Sequence, residues 1–487
     1  MRIRDLFLLT CATLTSCSLP KKTATPDKKW SAIELTEDLS VLQQILQRCH
    51  PSLHAYLPED QWREACLSTR ATIRDSLTTH QFLYGSVLPL ITRIRCGHTQ
   101  ASYPKILSDH LRKHPPPSFP LRLKCWADTM VVVSALDPGD SLPPRGSLLT
   151  SIDGLPTRQV RDIMFRFLPT DGYAESFNYH RLSASFPALH RNIFGVRKEY
   201  HLGIRMPDGK DTTWVLKAFR PDSTAKGTRL TRPTDRSSSR PLQFMRDSLT
   251  GAGVLRIASF DKRLGVRRFY RNSFRTIRRA GIQDLILDIR INGGGYVDQE
   301  VQLARYLKTT PFRVADTAAA MTRNLGSYRK YFRRALDDRF VLTFLTRRQT
   351  DGKYHLRYWE RKTYHPRHRN AFRGRTLVLV SGPTFSAASL FAGLMKGQKN
   401  VFLLGEETGG AAYANNGLLL PECILPNTRI RLTLPLFRIV PNGKAPNTGR
   451  GVEPDILIEP DRESVRTGID RKMEWVRRWI LENQIGQ

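Results

Sequence analysis

Along the first hundred residues, apolar side chains recur every three or four positions. Leu35, Leu39, Leu42, Ile45, Leu46 and Cys49 share one helical face, with Thr36 placed to cap its start and His50-Pro51 to end it. Similar patterns predict helices over about 59–76 and 79–94, and these helices close on "IRCGHTQASY". From about 117 to 218 the period shortens to two. "TMVVVSAL" and "GSLLTSIDG" read as strands, Asp153-Gly154 as a hairpin turn, and "TRQVRDIMFRFL" as a helix capped by Thr157. A further strand pair flanks Asp208-Gly209. Residues 220–241, rich in Pro, Ser, Thr and Arg, read as a linker. Beyond them, continuous apolar runs such as "DLILDI", "TLVLV" and "VFLLG" alternate with helical patterns. That alternation predicts an α/β layer with a largely parallel sheet, whose sites lie at the carboxyl ends of its strands.

Composition adds two constraints. The chain has 487 residues, more than one ordinary core holds, with 40% hydrophobic and 25% charged positions, a globular balance. Its net charge of +33 predicts attraction to anionic surfaces. Basic and aromatic residues mix in "RRFYRNSFRTIRR" and across the basic 316–375 section, a composition compatible with single-stranded nucleic acid. The amino terminus argues for a different anion. "MRIRDLFLLTCATLTSC" has basic Arg2 and Arg4, a short apolar run from Leu6 to Leu14, and an ending at Cys17 that resembles a bacterial lipobox. A diacylated Cys17 predicts a membrane-tethered protein of the bacterial envelope, facing anionic lipid headgroups rather than nucleic acid. Of the cysteines that remain, Cys49 and Cys66 are the candidate disulfide. No pair has metal-ligand spacing, so neither a metal nor a cofactor is expected.

The candidate chemistry lies in two stretches. "TLVLVSGPTFSAASLFAGLMKG" reads as strand, tight turn and helix, with Ser386 at the turn-to-helix junction. A helix N-terminus offers free amides and positive potential, so a nucleophilic Ser386 would have the Ala387 amide ready for an oxyanion. Thr384 and Ser389 are competing hydroxyls, and Ser386 also has the simpler reading of an N-cap serine. "DIRINGGG" is a strand running into glycines, where bare backbone at Gly294 or Gly295 can approach a bound peptide. No Lys-Ser/Thr follows, which excludes a P-loop.

Taken in order, "DIRINGGG", "SAASLFAG", "LLGEETGG" and "GRGVEPD" resemble the tail-specific, or C-terminal processing, serine protease family. The segment "PPRGSLLTSIDGLPTRQVRDIM" is similar to that family's PDZ domain. The resemblance implies a ClpP/crotonase-like α/β catalytic core with an N-terminal helical cap and an inserted PDZ-like β-rich domain. It divides the chain into a signal peptide (1–17), a tether (18–29), the cap (30–116), a PDZ-like domain (117–218), a linker (219–242) and the protease core (243–487).

The resemblance makes Ser386 the nucleophile and the amides of Ala387, Gly294 and Gly295 the oxyanion hole. In one branch of the family the base is a lysine, and here Ala411 occupies that position. In the tricorn-core-like branch it is a histidine in a Gly/Ser-His-Thr motif before the PDZ domain, which "RCGHTQ" supplies as His98. That branch has an orienting glutamate where this chain has Thr448, leaving Glu406, Glu407, Glu453 and Asp455 as substitutes. The implied function is a membrane-anchored serine endopeptidase acting on peptides and proteins of the envelope. Absence of both the lysine and the glutamate keeps a catalytically silent peptide-binding protein as the alternative.

Overall fold

The computed structural model describes residues 25–137, 142–221, 240–333, 340–443 and 445–485. Its centre is a six-stranded sheet in the order Leu242–Arg246, Gly253–Ile257, Asp284–Asp288, Arg375–Val380, Val401–Gly405 and Ile456–Leu457. The first pair is antiparallel and every later pair parallel. Helices cover both faces, which is why these strands read as unbroken apolar runs. On one face, Leu285, Leu287, Val378, Val380 and Leu403 pack against helices Val266–Arg279, Val297–Leu307 and Ala387–Met395. On the other, Ile286, Leu377, Leu379 and Leu404 meet Val476 and Ile480 of helix Arg471–Ile485.

A second, antiparallel sheet runs Leu121–Trp126, Thr129–Ala135, Leu148–Ile152, Glu199–Arg205 and Asp211–Lys217 around its own core. Helix Thr157–Phe165 forms as expected, but Pro156 precedes it and no side chain caps it. A 19-residue helix, Ser176–Phe194, stands where the sequence reading assigned no element. Its apolar stripe is interrupted by a non-helical Ser185 and by Pro187, which hide the period in sequence.

The amino-terminal helices have no core of their own. Leu35, Leu39, Leu42, Ile45 and Leu46 of helix Ala32–Cys49 pack with strand residues Ala318 and Ala320, Phe437 and Ile439, and with Leu425 and Leu432. The basic section accordingly belongs to a four-stranded sheet that includes Ala315–Ala320 and Phe437–Pro441. The first helix starts one turn earlier than its pattern suggests: Ser31, with Glu34, forms a capping box, so Thr36 is not the cap. Helix Glu59–Ala71 ends before 76, and a π-helical turn at Leu83–Val87 interrupts the next. Cys49 and Cys66 are free thiols, Cys49 buried inside the shared core, so that disulfide is absent. Cys17 and most of the expected linker lie outside the described residues. Among the described residues no helix is long and apolar enough to cross a membrane.

Candidate active site

Two loops meet at the carboxyl ends of adjacent parallel strands, 289–295 after Asp284–Asp288 and 381–386 after Arg375–Val380. The Asp288–Arg290 ion pair, at 2.8 Å and extended by Arg290–Asp470 at 2.8 Å, fixes the first loop. Three hydrogen bonds then fasten it to the second: Ser381 Oγ to the Arg290 carbonyl, Thr384 Oγ1 to the Ile289 carbonyl, and the Phe385 amide to the Asn292 carbonyl. Ser389 Oγ donates to the Ser386 carbonyl at 2.8 Å. Thr384 and Ser389 thus spend their hydroxyls holding the loop, which sets both apart from Ser386.

Ser386 occupies the N-cap position of helix Ala387–Met395, with φ 53° and ψ −125°, and its side chain makes no capping bond. A backbone there costs a non-glycine residue about 1–3 kcal/mol and recurs where a side chain is aimed for chemistry. The Ala387 amide, at the first helical position, has no acceptor one turn back. Gly294 lies against it: a Cβ on Gly294 would sit 2.7 Å from Ser386 Cβ and 3.0 Å from the Ala387 nitrogen. Its φ of 99° requires glycine as well. The Gly294 amide, however, donates to Asn292 Oδ1 at 2.8 Å, which ties up a donor the sequence reading had left for an oxyanion.

His98 arrives from the cap. It precedes strand Gln100–Ser102, which pairs with Arg431–Thr433 in a three-stranded sheet. Its ring lies on Phe385 with centroids 4.6 Å apart, and Phe385 stacks on Phe177. A Cβ on Gly417 would stand 2.7 Å from Ser386 Oγ and 2.8 Å from His98 Nε2. Hydroxyl and imidazole therefore flank one small space that only a glycine leaves open.

On the ring's other side, His98 Nδ1 lies 3.6 Å from Asp171 Oδ1, both side chains only 4% exposed. Asp171 is positioned by the Gly97 amide, which donates to Oδ1 at 2.7 Å. Burial alone would push the imidazole pKa down, but the Asp171 carboxylate and the Cys96 side chain outweigh it and raise His98 to about 9. The Cys96 thiol is driven the opposite way, to about 6, because the neighbouring His50 and His98 imidazoles overcome its burial.

Asp171 was not among the carboxylates picked out by sequence, and of those that were, Glu406, Glu407 and Asp455 have other partners. Glu406 binds Lys472 at 2.6 Å. Glu407 accepts from Arg450 and the Gly451 amide. The Glu453 carbonyl receives Lys396, which also lies 3.8 Å from Asp455. Thr448 is exposed, but its neighbour Gly449 accepts the Tyr173 amide at 2.7 Å. Asp171 thus comes from the segment directly beside the expected glutamate position, although in sequence "PTDGY" signals only a turn.

A strand-end serine on a helix N-terminus, in an α/β layer of this order, is placed as the nucleophile of a serine-type peptidase, a hydrolase of peptide bonds. More narrowly, residues 251–458 match the model of peptidase family S41. Two solved structures share its fold across almost the whole chain: mature CPAF complexed with lactacystin, and mature CPAF alone. Each is 16% identical, covers 93% of this chain and 98% of its own, and has a TM-score of 0.65. No curated protein sequence matches the chain.

Proposed function

We propose that the protein is an envelope serine endopeptidase in which Ser386 is the nucleophile, His98 the base and Asp171 the residue that orients His98. The observation that carries this reading is the common contact of Ser386 Oγ and His98 Nε2 with the space above Gly417. In its neutral form His98 takes the Ser386 proton on Nε2 as Oγ attacks the scissile carbonyl, and the Ala387 amide with the Gly295 segment receives the oxyanion. His98 then protonates the leaving amine, and water resolves the acyl-enzyme. Asp171 holds the ring by charge across 3.6 Å, a separation too long for a hydrogen bond until substrate closes the site.

The antiparallel unit over 117–218 fits the PDZ-like role of binding an extended peptide by strand addition. Lipidation at Cys17 would hold the enzyme on the membrane, where the +33 charge favours anionic headgroups and acidic substrates. The test is labelling by a fluorophosphonate probe together with turnover of an unfolded substrate such as casein. Wild type is expected to do both, and Ser386→Ala neither, with an unchanged circular dichroism spectrum. Undiminished labelling of Ser386→Ala removes Ser386 from the role. Loss of fatty acylation in Cys17→Ser, with release of the protein into the soluble fraction, tests the anchor separately.

A further inference from the structure

Cys96 has no part in the peptidase reaction, yet it is 1% exposed and stands beside His98 and Asp171. Its Sγ, a His98 ring nitrogen and an Asp171 carboxylate oxygen all lie within 4.8 Å of one another. His98 is 5% and Asp171 3% exposed, and His98 Nδ1, His98 Nε2 and Asp171 Oδ2 have no hydrogen-bond partner. Buried polar atoms without partners are costly, and native structures rarely keep several together without a ligand to satisfy them.

We propose that Cys96, His98 and Asp171 form a site for a zinc-class divalent cation, and that filling it switches the peptidase off. The switching half rests on His98 being the base, whereas the binding half does not. Thiolate, imidazole and carboxylate are the donor set zinc takes, with bonds of about 2.0–2.3 Å that set tetrahedral ligand atoms about 3.3–3.8 Å apart. The Nδ1–Oδ1 separation of 3.6 Å already falls in that range. The widest separation in the cluster needs to shorten by only about 1 Å. Supporting contacts are in place as well. Asn416 Nδ2 donates to Cys96 Sγ at 3.3 Å, and the Gly97 amide holds Asp171 Oδ1 at 2.7 Å, as donors around metal ligands do.

Inhibition follows whichever ring nitrogen the cation takes. Bound through Nδ1, the neutral imidazole carries its proton on Nε2 and cannot accept another from Ser386. Bound through Nε2, its lone pair is already engaged. Sequence spacing gives no hint of this site, because Asp171 is far from the Cys-x-His pair and comes from a different segment.

Cobalt(II) titration of the full-length Ser386→Ala protein tests binding without turnover. The expected result is a thiolate-to-cobalt charge-transfer band that saturates at one equivalent and disappears when zinc is added. Cys96→Ser should abolish the band although Cys49, Cys66, Cys125 and Cys423 remain, and Asp171→Asn should weaken cobalt binding at least about tenfold. Thermal melts confirm that each variant is folded. In wild type, peptide turnover should fall as zinc is added and return with EDTA. In Cys96→Ser, inhibition should need at least about tenfold more zinc, each protein being compared with its own metal-free rate. A band unchanged in Cys96→Ser, or none in folded Ser386→Ala, overturns the site. A wild type that shows the band but never turns over substrate keeps the site and refutes the peptidase reading instead.

Discussion

Gly417→Ala separates the assembly of this site from the stability of the fold. The added methyl carbon would lie 2.7 Å from Ser386 Oγ and 2.8 Å from His98 Nε2, well inside the roughly 3.5–4.0 Å at which non-bonded carbons rest. Gly417 is not among the residues with left-handed backbone, so alanine suits its backbone and the damage stays local. Nucleophile and base must separate to make room. Losing base assistance costs about 10²–10⁴ in rate, which is about 3–5 kcal/mol of transition-state stabilisation at 1.36 kcal/mol per decade. The accompanying overpacking costs about 1–3 kcal/mol of folding stability. Kinetics therefore belong well below the melting temperature, with fluorophosphonate labelling rate and peptide kcat/KM as readouts. Gly393→Ala is the control, because a Cβ there meets only Val452 at an ordinary 3.6 Å. If folded Gly417→Ala turns substrate over within about threefold of wild type, less than 1 kcal/mol of effect, Ser386 and His98 do not react across that space.

Three other predictions follow from the same contacts. Asp171→Asn should lower kcat about 10²–10⁴-fold with KM nearly unchanged, and Asp171→Glu should recover part of the loss; an equal rise in KM points to a structural role instead. Glu406→Gln, which strands the buried Lys472, should cost about 3 kcal/mol in urea denaturation yet leave kcat in place, and a kcat loss matching that of Asp171→Asn would return Glu406 to the site. Asp38, buried where it accepts the Asn427 and Thr428 amides, has its carboxyl pKa raised by burial from 3.8 to about 6. The native state therefore holds this proton more tightly than the unfolded chain, and the group's contribution, up to about 3 kcal/mol, is complete below pH 4 and lost as pH rises through 6. The stability difference between wild type and Asp38→Asn should shrink over that range in chemical denaturation, and a constant difference contradicts the assignment.

The parts of this protein that sequence discloses are those whose physics is local. The parallel strands show as apolar runs because helices bury both faces, and the Ser386 junction shows because strand, turn and helix are consecutive. His98 was legible only through its motif. Asp171 was not legible, since an Asp-Gly turn advertises nothing about the imidazole that tertiary packing brings to it. Helix Ser176–Phe194 was hidden by its own kink. The cap read as a separate unit because periodicity reports which face is apolar and not what covers it; the cover is Ala315–Ala320 and the 423–439 region.

That shared cover has a consequence for how the enzyme comes into being. Strand Gln100–Ser102, next to His98, finds its ladder partner only in Arg431–Thr433, more than three hundred residues later. A growing chain already bearing both the imidazole and the hydroxyl still lacks the strand that holds them face to face. The meeting of hydroxyl and imidazole is thus withheld until synthesis has nearly finished, a delay supplied by topology alone.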